Sequence, residues 1–162
     1  MFFNSIILLL PEIILATFSM IAIIVGVFSN RSNIASSILW CSCILFIVLA
    51  LWILMFEKSQ INAFGGAFVA DAFADFVKVL LLVCGAVILG LSSEYLKQNE
   101  LLKFEYPVLI SLAMVGMMLM VSSSNLISLY MSIELQSLAL YVIAAFRRDS
   151  LKSTEAGLKY FV

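Results

Sequence analysis

The sequence predicts an all-α polytopic membrane protein with five transmembrane helices and the start of a sixth. Of its 162 residues, 64% are hydrophobic and 12% are charged, and the mean hydropathy is +1.17. A helix needs about 20 mostly apolar residues to cross a hydrocarbon core of roughly 30 Å. Such a composition is typical of a chain whose solvent is mostly lipid. Apolar runs of suitable length lie at 5–28, 34–56, 76–96, 106–122 and 125–146.

The first apolar run is expected to stay in the membrane as a helix. No positively charged segment precedes it and no small-residue cleavage site follows it, so a removable signal peptide is not indicated. Cytoplasmic flanks of membrane helices collect Lys and Arg. This rule predicts a periplasmic amino terminus, although Lys58 contradicts it. The basic residues that then face the cytoplasm are Arg31, Lys97, Lys103, Arg147, Arg148 and Lys152.

The cysteines and basic residues do not indicate metal or nucleic-acid binding. Cys41, Cys43 and Cys84 lie inside predicted spans, and the chain has no histidine. Metal binding is therefore not expected, and the thiols are predicted to serve as small packing groups. The sequence also has no Gly-rich phosphate loop and no basic stripe interleaved with aromatic residues. Nucleic acid is thus not an expected partner.

Ionisable residues near the predicted outer face have two interpretations each. Glu12 follows a proline at the start of the first span, where a carboxylate favours the positive end of a helix. It is predicted to be a surface anchor, and a proton or partner contact is the alternative. Asp71, Asp75 and Lys78 can share one helix face after the long connection 57–75, which is predicted to lie against the membrane surface. An interfacial salt bridge with a snorkelling lysine is predicted, and a proton exit is the alternative.

Glu134 lies near the middle of the fifth apolar run and is the main candidate for function. Thirteen residues separate it from Arg147, which places it roughly 20 Å from the cytoplasmic edge at about 1.5 Å per residue. Ionisable residues at such depth usually mark an ion or proton route. Glu134 is therefore predicted to exchange protons, and a static ion pair is the alternative. The short turn at 122–125 predicts that spans four and five lie side by side and that Glu134 lies inside a bundle.

Lys159 is predicted to be the counter-charge of Glu134. It belongs to a further apolar helix that Ser153 or Thr154 can cap, with Glu155 in the first turn. Lysine can change its charge state when it is desolvated, whereas arginine stays charged. The alternative is a snorkelling lysine at the cytoplasmic interface. Because a helix that ends in hydrocarbon leaves free carbonyls, the chain is expected to be the amino-terminal part of a longer protein or to need a partner.

Four segments of the sequence resemble subunit N of bacterial proton-pumping NADH:quinone oxidoreductase, complex I. The resemblance covers essentially the whole chain and implies an antiporter-like fold of two inverted five-helix repeats. It implies that residues 1–104 form the first three helices and that 105–162 begin the first repeat. It also implies that Glu134 and Lys159 form a proton relay. The segments are LLPEIIL, DAFADFVKVLLLV, EYPVLISLAMVGMMLMVSSSNLISLYMSIELQSLALYVIAAFRRD and STEAGLKYF.

The resemblance further implies a role in coupling NADH oxidation and quinone reduction to proton pumping in the bacterial inner membrane. It implies no cofactor on this chain, because other subunits handle NADH, flavin, iron–sulfur clusters and quinone. The implied partners are the other membrane-arm subunits and the lipid bilayer. The family's later lysines, on its seventh, eighth and twelfth helices, have no counterpart here. The alternatives are a non-catalytic scaffold or assembly fragment and a subunit of a multi-subunit cation/proton antiporter.

Overall fold

The computed structural model describes residues 8–28, 34–55, 61–63, 66–99, 101–147 and 149–162. Five helices in these ranges are long and apolar enough to cross a membrane, as the sequence predicts. Arg31, Lys58 and Arg148, which entered the orientation argument, lie outside the described residues. The helices are α1 (Leu10–Phe28), α2 (Ile34–Met55), α3 (Ala72–Gln98), α4 (Glu105–Ser122), α5 (Leu126–Ala144) and α6 (Leu151–Phe161), with strands β1 (Ile61–Ala63) and β2 (Phe68–Ala70).

Helix α3 is longer than the predicted third span. Its 27 residues rise about 40 Å, which exceeds a hydrocarbon core of roughly 30 Å, so the helix tilts or extends beyond the core. Asp71 caps its start, accepting a hydrogen bond of 2.7 Å from the backbone N–H of Ala74. Lys97 lies in the last turn, where a positive charge complements the helix dipole.

The core lies where α2, α3 and α4 meet, with α1 packed against α4. Phe46, Leu82 and Met118 are fully buried there. Gly85 lets the helices approach closely at this contact, because a Cβ would lie 3.0 Å from the side chains of both Phe46 and Met114. Small and sulfur-containing residues of this kind allow helices in lipid to approach closely.

The cysteines are free thiols. Cys43 is buried, and its Sγ lies 3.7 Å from the carbonyl oxygen of Ala86, between α2 and α3. The predicted packing role is confirmed for Cys43. Cys41 and Cys84 instead lie on exposed helix surfaces.

A short antiparallel hairpin lies within the connection between α2 and α3. Ile61 pairs with Ala70, and Ala63 pairs with Phe68. Sequence analysis missed these strands. β2 is also joined to the turn between α4 and α5 through a bridge between Phe68 and Ser123. The backbone N–H of the next residue, at position 124, donates to the carbonyl of Ala67 over 3.1 Å. The connection is thus part of the bundle's end.

Helix α6 begins earlier than predicted, and Ser153 and Thr154 do not cap it. The cap position is Ser150, without a side-chain cap bond. Ser153 lies inside the first turn and donates its hydroxyl hydrogen to the carbonyl of Ala144 over 2.9 Å, while Thr154 donates to the carbonyl of Ser150. The serine predicted as a cap therefore joins α6 to the end of α5.

Candidate intramembrane ionisable sites

Glu134 lies near the centre of α5 and is half-buried. The hydroxyl of Tyr130, one turn earlier, interacts with its carboxylate. The hydroxyl of Ser137 donates to the backbone carbonyl of Glu134 over 3.1 Å. Tyr130 and Ser137 therefore form a polar stripe with Glu134 on one face of an apolar helix.

Gly116 on α4 determines which face of α5 meets its neighbour. A Cβ at Gly116 would lie 2.7 Å from the backbone nitrogen of Gln136 and 2.9 Å from the backbone oxygen of Ser132. Glu134 lies two residues from each of them. Two residues turn an α-helix by about 200°, so Glu134 points away from α4.

The prediction that pairing α4 with α5 places Glu134 inside a bundle is therefore wrong for the described helices. The two helices do lie side by side, as predicted, but the acid is on the opposite face. Ser132 and Ala139 are the buried residues of α5. Most of the helix surface around Glu134 is thus open to lipid or to further protein.

Lys159 lies on α6, and its side chain is 76% exposed. Its Nζ is 2.6 Å from the carboxylate of Glu155, one turn earlier on the same helix. Gly157 packs against α5, where a Cβ would lie 2.7 Å from the Cβ of Ala145. Lys159 is two residues further along and points away from α5, by the same rotation of about 200°. No ion pair joins it to Glu134 in the described part of the chain.

A buried ion pair joins the first and third helices. Nζ of Lys78 lies 2.6 Å from Oε1 of Glu12. Both residues are only 2% exposed. The predictions of a surface anchor at Glu12 and a snorkelling lysine at Lys78 are therefore wrong. Asp71 caps α3 and leaves Lys78 to pair across the bundle.

Two contacts describe the surroundings of this pair. The ring of Phe68 covers Lys78, with 4.8 Å from Nζ to the ring centroid. Oε2 of Glu12 is buried and has no hydrogen-bond partner among the described residues. A sequence signal for the pairing existed: Glu12 is the sole charged residue of α1, and Lys78 is the sole basic residue in the first half of α3.

Comparison with known families covers the region of both candidate relay groups. The family model described as "NADH:quinone oxidoreductase/Mrp antiporter, TM" matches residues 123–162. This range contains α5 and α6, and therefore Glu134 and Lys159.

Curated relatives extend the match to almost the whole chain. Subunit N of NADH-quinone oxidoreductase from Rhodobacter capsulatus is 53% identical over 155 residues, which cover 96% of this chain and 32% of the relative. The resemblance to subunit N is thereby confirmed. Subunit N from Jannaschia sp. (strain CCS1) is 50% identical over the same shares of both chains. The chain thus spans about a third of the length of these subunit N relatives.

A solved structure agrees with these relatives. A chain in the structure of respiratory complex I from Thermus thermophilus with bound aureothin aligns with a TM-score of 0.75 and 25% identity. The alignment covers 93% of this chain and 32% of that chain. The predicted all-α polytopic membrane fold is therefore confirmed, apart from the short hairpin of β1 and β2.

Proposed function

We propose that this chain is part of a proton-translocating membrane-arm subunit of NADH:quinone oxidoreductase and that Glu134 is its central proton-exchanging group. The observation that carries the proposal is a half-buried carboxylate at the centre of a membrane-spanning helix. Its side chain faces away from α4 and has a tyrosine hydroxyl as a partner. A carboxylate at this depth is costly, and such residues usually mark a proton or ion route.

The proposed mechanism uses changes of charge and no covalent step on this chain. Redox chemistry on other subunits, which handle NADH, flavin, iron–sulfur clusters and quinone, changes the charge surrounding Glu134. The carboxylate takes up a proton from one side of the membrane and releases it towards the other. The hydroxyl of Tyr130, one turn earlier on α5, is the side-chain partner of this carboxylate.

Lys159 is the second proposed relay group. It exchanges charge with Glu134 through residues that cover the open face of α5, since the two side chains are not in direct contact. The aromatic contacts of Tyr141 with Tyr160, 5.0 Å between centroids, and with Phe161 hold α6 against α5. They keep Lys159 about two helical turns from the level of Glu134, roughly 10 Å along the axis.

The open surface of α5 also supports the proposed partners. The large exposed apolar residues there, including Leu126, Ile127 and Met131, suit contact with lipid or with further helices of complex I. The proposed location is the bacterial inner membrane, with the amino terminus on the periplasmic side. Residues 1–104 and 105–162 are the proposed division between the first helices and the antiporter-like repeat.

The alternatives receive less support. A scaffold with a fixed Glu134–Lys159 pair is not favoured, because Lys159 pairs with Glu155. The family description includes Mrp antiporters. The relatives that match almost the whole of this chain, however, are subunits of NADH-quinone oxidoreductase. Complex I is therefore the preferred assembly.

Glu134→Gln in the full-length subunit is expected to abolish most proton translocation while the complex still assembles. Glutamine keeps the size and hydrogen-bonding capacity of the side chain but cannot exchange a proton. The measurement is proton uptake per NADH oxidised in reconstituted vesicles, with assembly followed by native gel electrophoresis.

Glu94→Gln is the matched control, because Glu94 is an exposed acid close to the carboxyl-terminal end of α3. It should leave proton translocation at the wild-type level. Wild-type pumping by the Glu134→Gln variant would contradict the proposed function.

Lys159→Met should also lower proton translocation, with little effect on assembly. The side chain is exposed and its ion pair lies within one helix, and such pairs add little stability. The same vesicle assay measures the effect, and Lys152→Met, at an exposed position in the first turn of α6, is the control. Equal pumping by the two variants would remove Lys159 from the relay.

A further inference from the structure

The ion pair between Glu12 and Lys78 joins helices that otherwise pack against other partners. α1 packs mainly on α4, while α3 packs on α2 and α4. The 2.6 Å contact is therefore a direct link across the bundle between two charged side chains that are both 2% exposed. Buried charges of this kind are costly and usually require a specific reason.

One of the two carboxylate oxygens of Glu12 takes no part in the ion pair. Oε1 of Glu12 accepts from Lys78, while Oε2 is buried and has no partner in the part of the chain that the structure describes. In a satisfied structural ion pair, both carboxylate oxygens accept hydrogen bonds. The open lone pairs of Oε2 are where a proton can bind without breaking the contact to Lys78.

A cavity lies beside Phe68. It has a volume of about 430 Å³, and its mostly apolar lining includes Phe68 and three serines, Ser123, Ser128 and Ser132. A cavity of this size with several hydroxyls can hold water. Because the same ring covers Nζ of Lys78, Phe68 separates this cavity from the ion pair.

We propose that Glu12, held by Lys78, is a second proton-binding site of this chain, with the Phe68 ring between it and the cavity that contains the three serines. A hydrated proton from the cavity forms an O–H bond at Oε2 of Glu12 and leaves a water molecule behind. Lys78 keeps its charge and its hydrogen bond to Oε1, and its positive charge remains against the Phe68 ring. Release reverses the same step.

Few other charges surround the site in the described residues. On α3, Asp71 and Asp75 precede Lys78 by two turns and one turn, and Asp71 is committed to capping the helix. The described residues of β2, of α2 and of the adjoining end of α4 carry no charged side chain; α2 contributes two cysteine thiols. Glu134 is on α5, on the face opposite Ser132. Glu12 is the acid that forms the 2.6 Å ion pair with Lys78.

The inference deepens the proposed function, because it adds an exchange group at another depth of the same pump, and it rests on that function for its role. Its test, however, measures proton binding directly. Infrared difference spectra between two pH values are recorded on the assembled complex with ¹³C-labelled glutamate. A protonated carboxyl band should appear in the wild type, disappear in Glu12→Gln and shift in Lys78→Met.

The control Glu94→Gln should keep this band unchanged. If Glu12→Gln does not assemble, Glu12→Asp serves instead, and its band should lose the glutamate isotope shift. A difference spectrum of either Glu12 variant identical to that of the wild type overturns the proposal. A titrating Glu12 band together with normal pumping in Glu134→Gln would instead overturn the proposed function and leave this site standing.

Discussion

Lys78→Met is expected to destabilise the protein by about 3–5 kcal/mol, the usual cost of removing one partner of a buried ion pair. The loss follows because Glu12 is 2% exposed and has no other hydrogen-bond partner for its carboxylate among the described residues. Unfolding in mixed detergent micelles, followed by circular dichroism, measures the effect.

Two variants separate this mechanism from a general loss of packing. Lys97→Met removes an exposed lysine from the last turn of the same helix and should change stability little. Glu12→Gln combined with Lys78→Met replaces both charges by neutral groups and should recover most of the loss. A double variant as unstable as Lys78→Met alone would show that the charge of Glu12 is not the cause.

Gly116→Ala is expected to have the second largest effect, a destabilisation near the upper end of the range of about 1–3 kcal/mol for overpacking. The added Cβ would lie 2.7 Å from the backbone nitrogen of Gln136 and 2.9 Å from the backbone oxygen of Ser132. Backbone atoms cannot rotate away as a side chain can, so α4 and α5 must separate. The same micelle unfolding assay measures the loss.

Gly90→Ala is the matched control for this substitution. Gly90 is also inside a helix, but an added Cβ there has no neighbour within 4 Å. Replacing it with alanine should be neutral or stabilise the helix by roughly 0.5–1 kcal/mol, because glycine is a poor helix former. Equal losses at Gly90 and Gly116 would mean that the close contact between α4 and α5 does not determine the result.

The membrane helices could be predicted from sequence because their signal is local. Length and apolar composition alone identify spans, and lipid leaves few other structures for such segments. The strands β1 and β2 could not be predicted in this way. They have three residues each, and their position depends on pairing with each other and on the bridge from Phe68 to Ser123.

The residues of the candidate sites could be predicted from the sequence, but the contacts that their side chains make could not. Glu134 stands out because an acid in an apolar run is rare, yet its direction depends on where Gly116 lets α4 approach. Glu12 and Lys78 are 66 residues apart. A sequence marks each as an isolated charge, whereas the choice of Glu12 over Asp71 as the partner of Lys78 follows from helix packing.

The bridge between β2 and the turn at Ser123 has a mechanical consequence. The ring of Phe68 covers Lys78 on one side. The backbone of Phe68 forms a β-bridge with Ser123, in the turn that leads into α5. Rotation of α5 about its axis would therefore pull on the strand that shields the ion pair. A movement of the helix that carries Glu134 would in this way reach the ion pair of Glu12 and Lys78 through the backbone of β2.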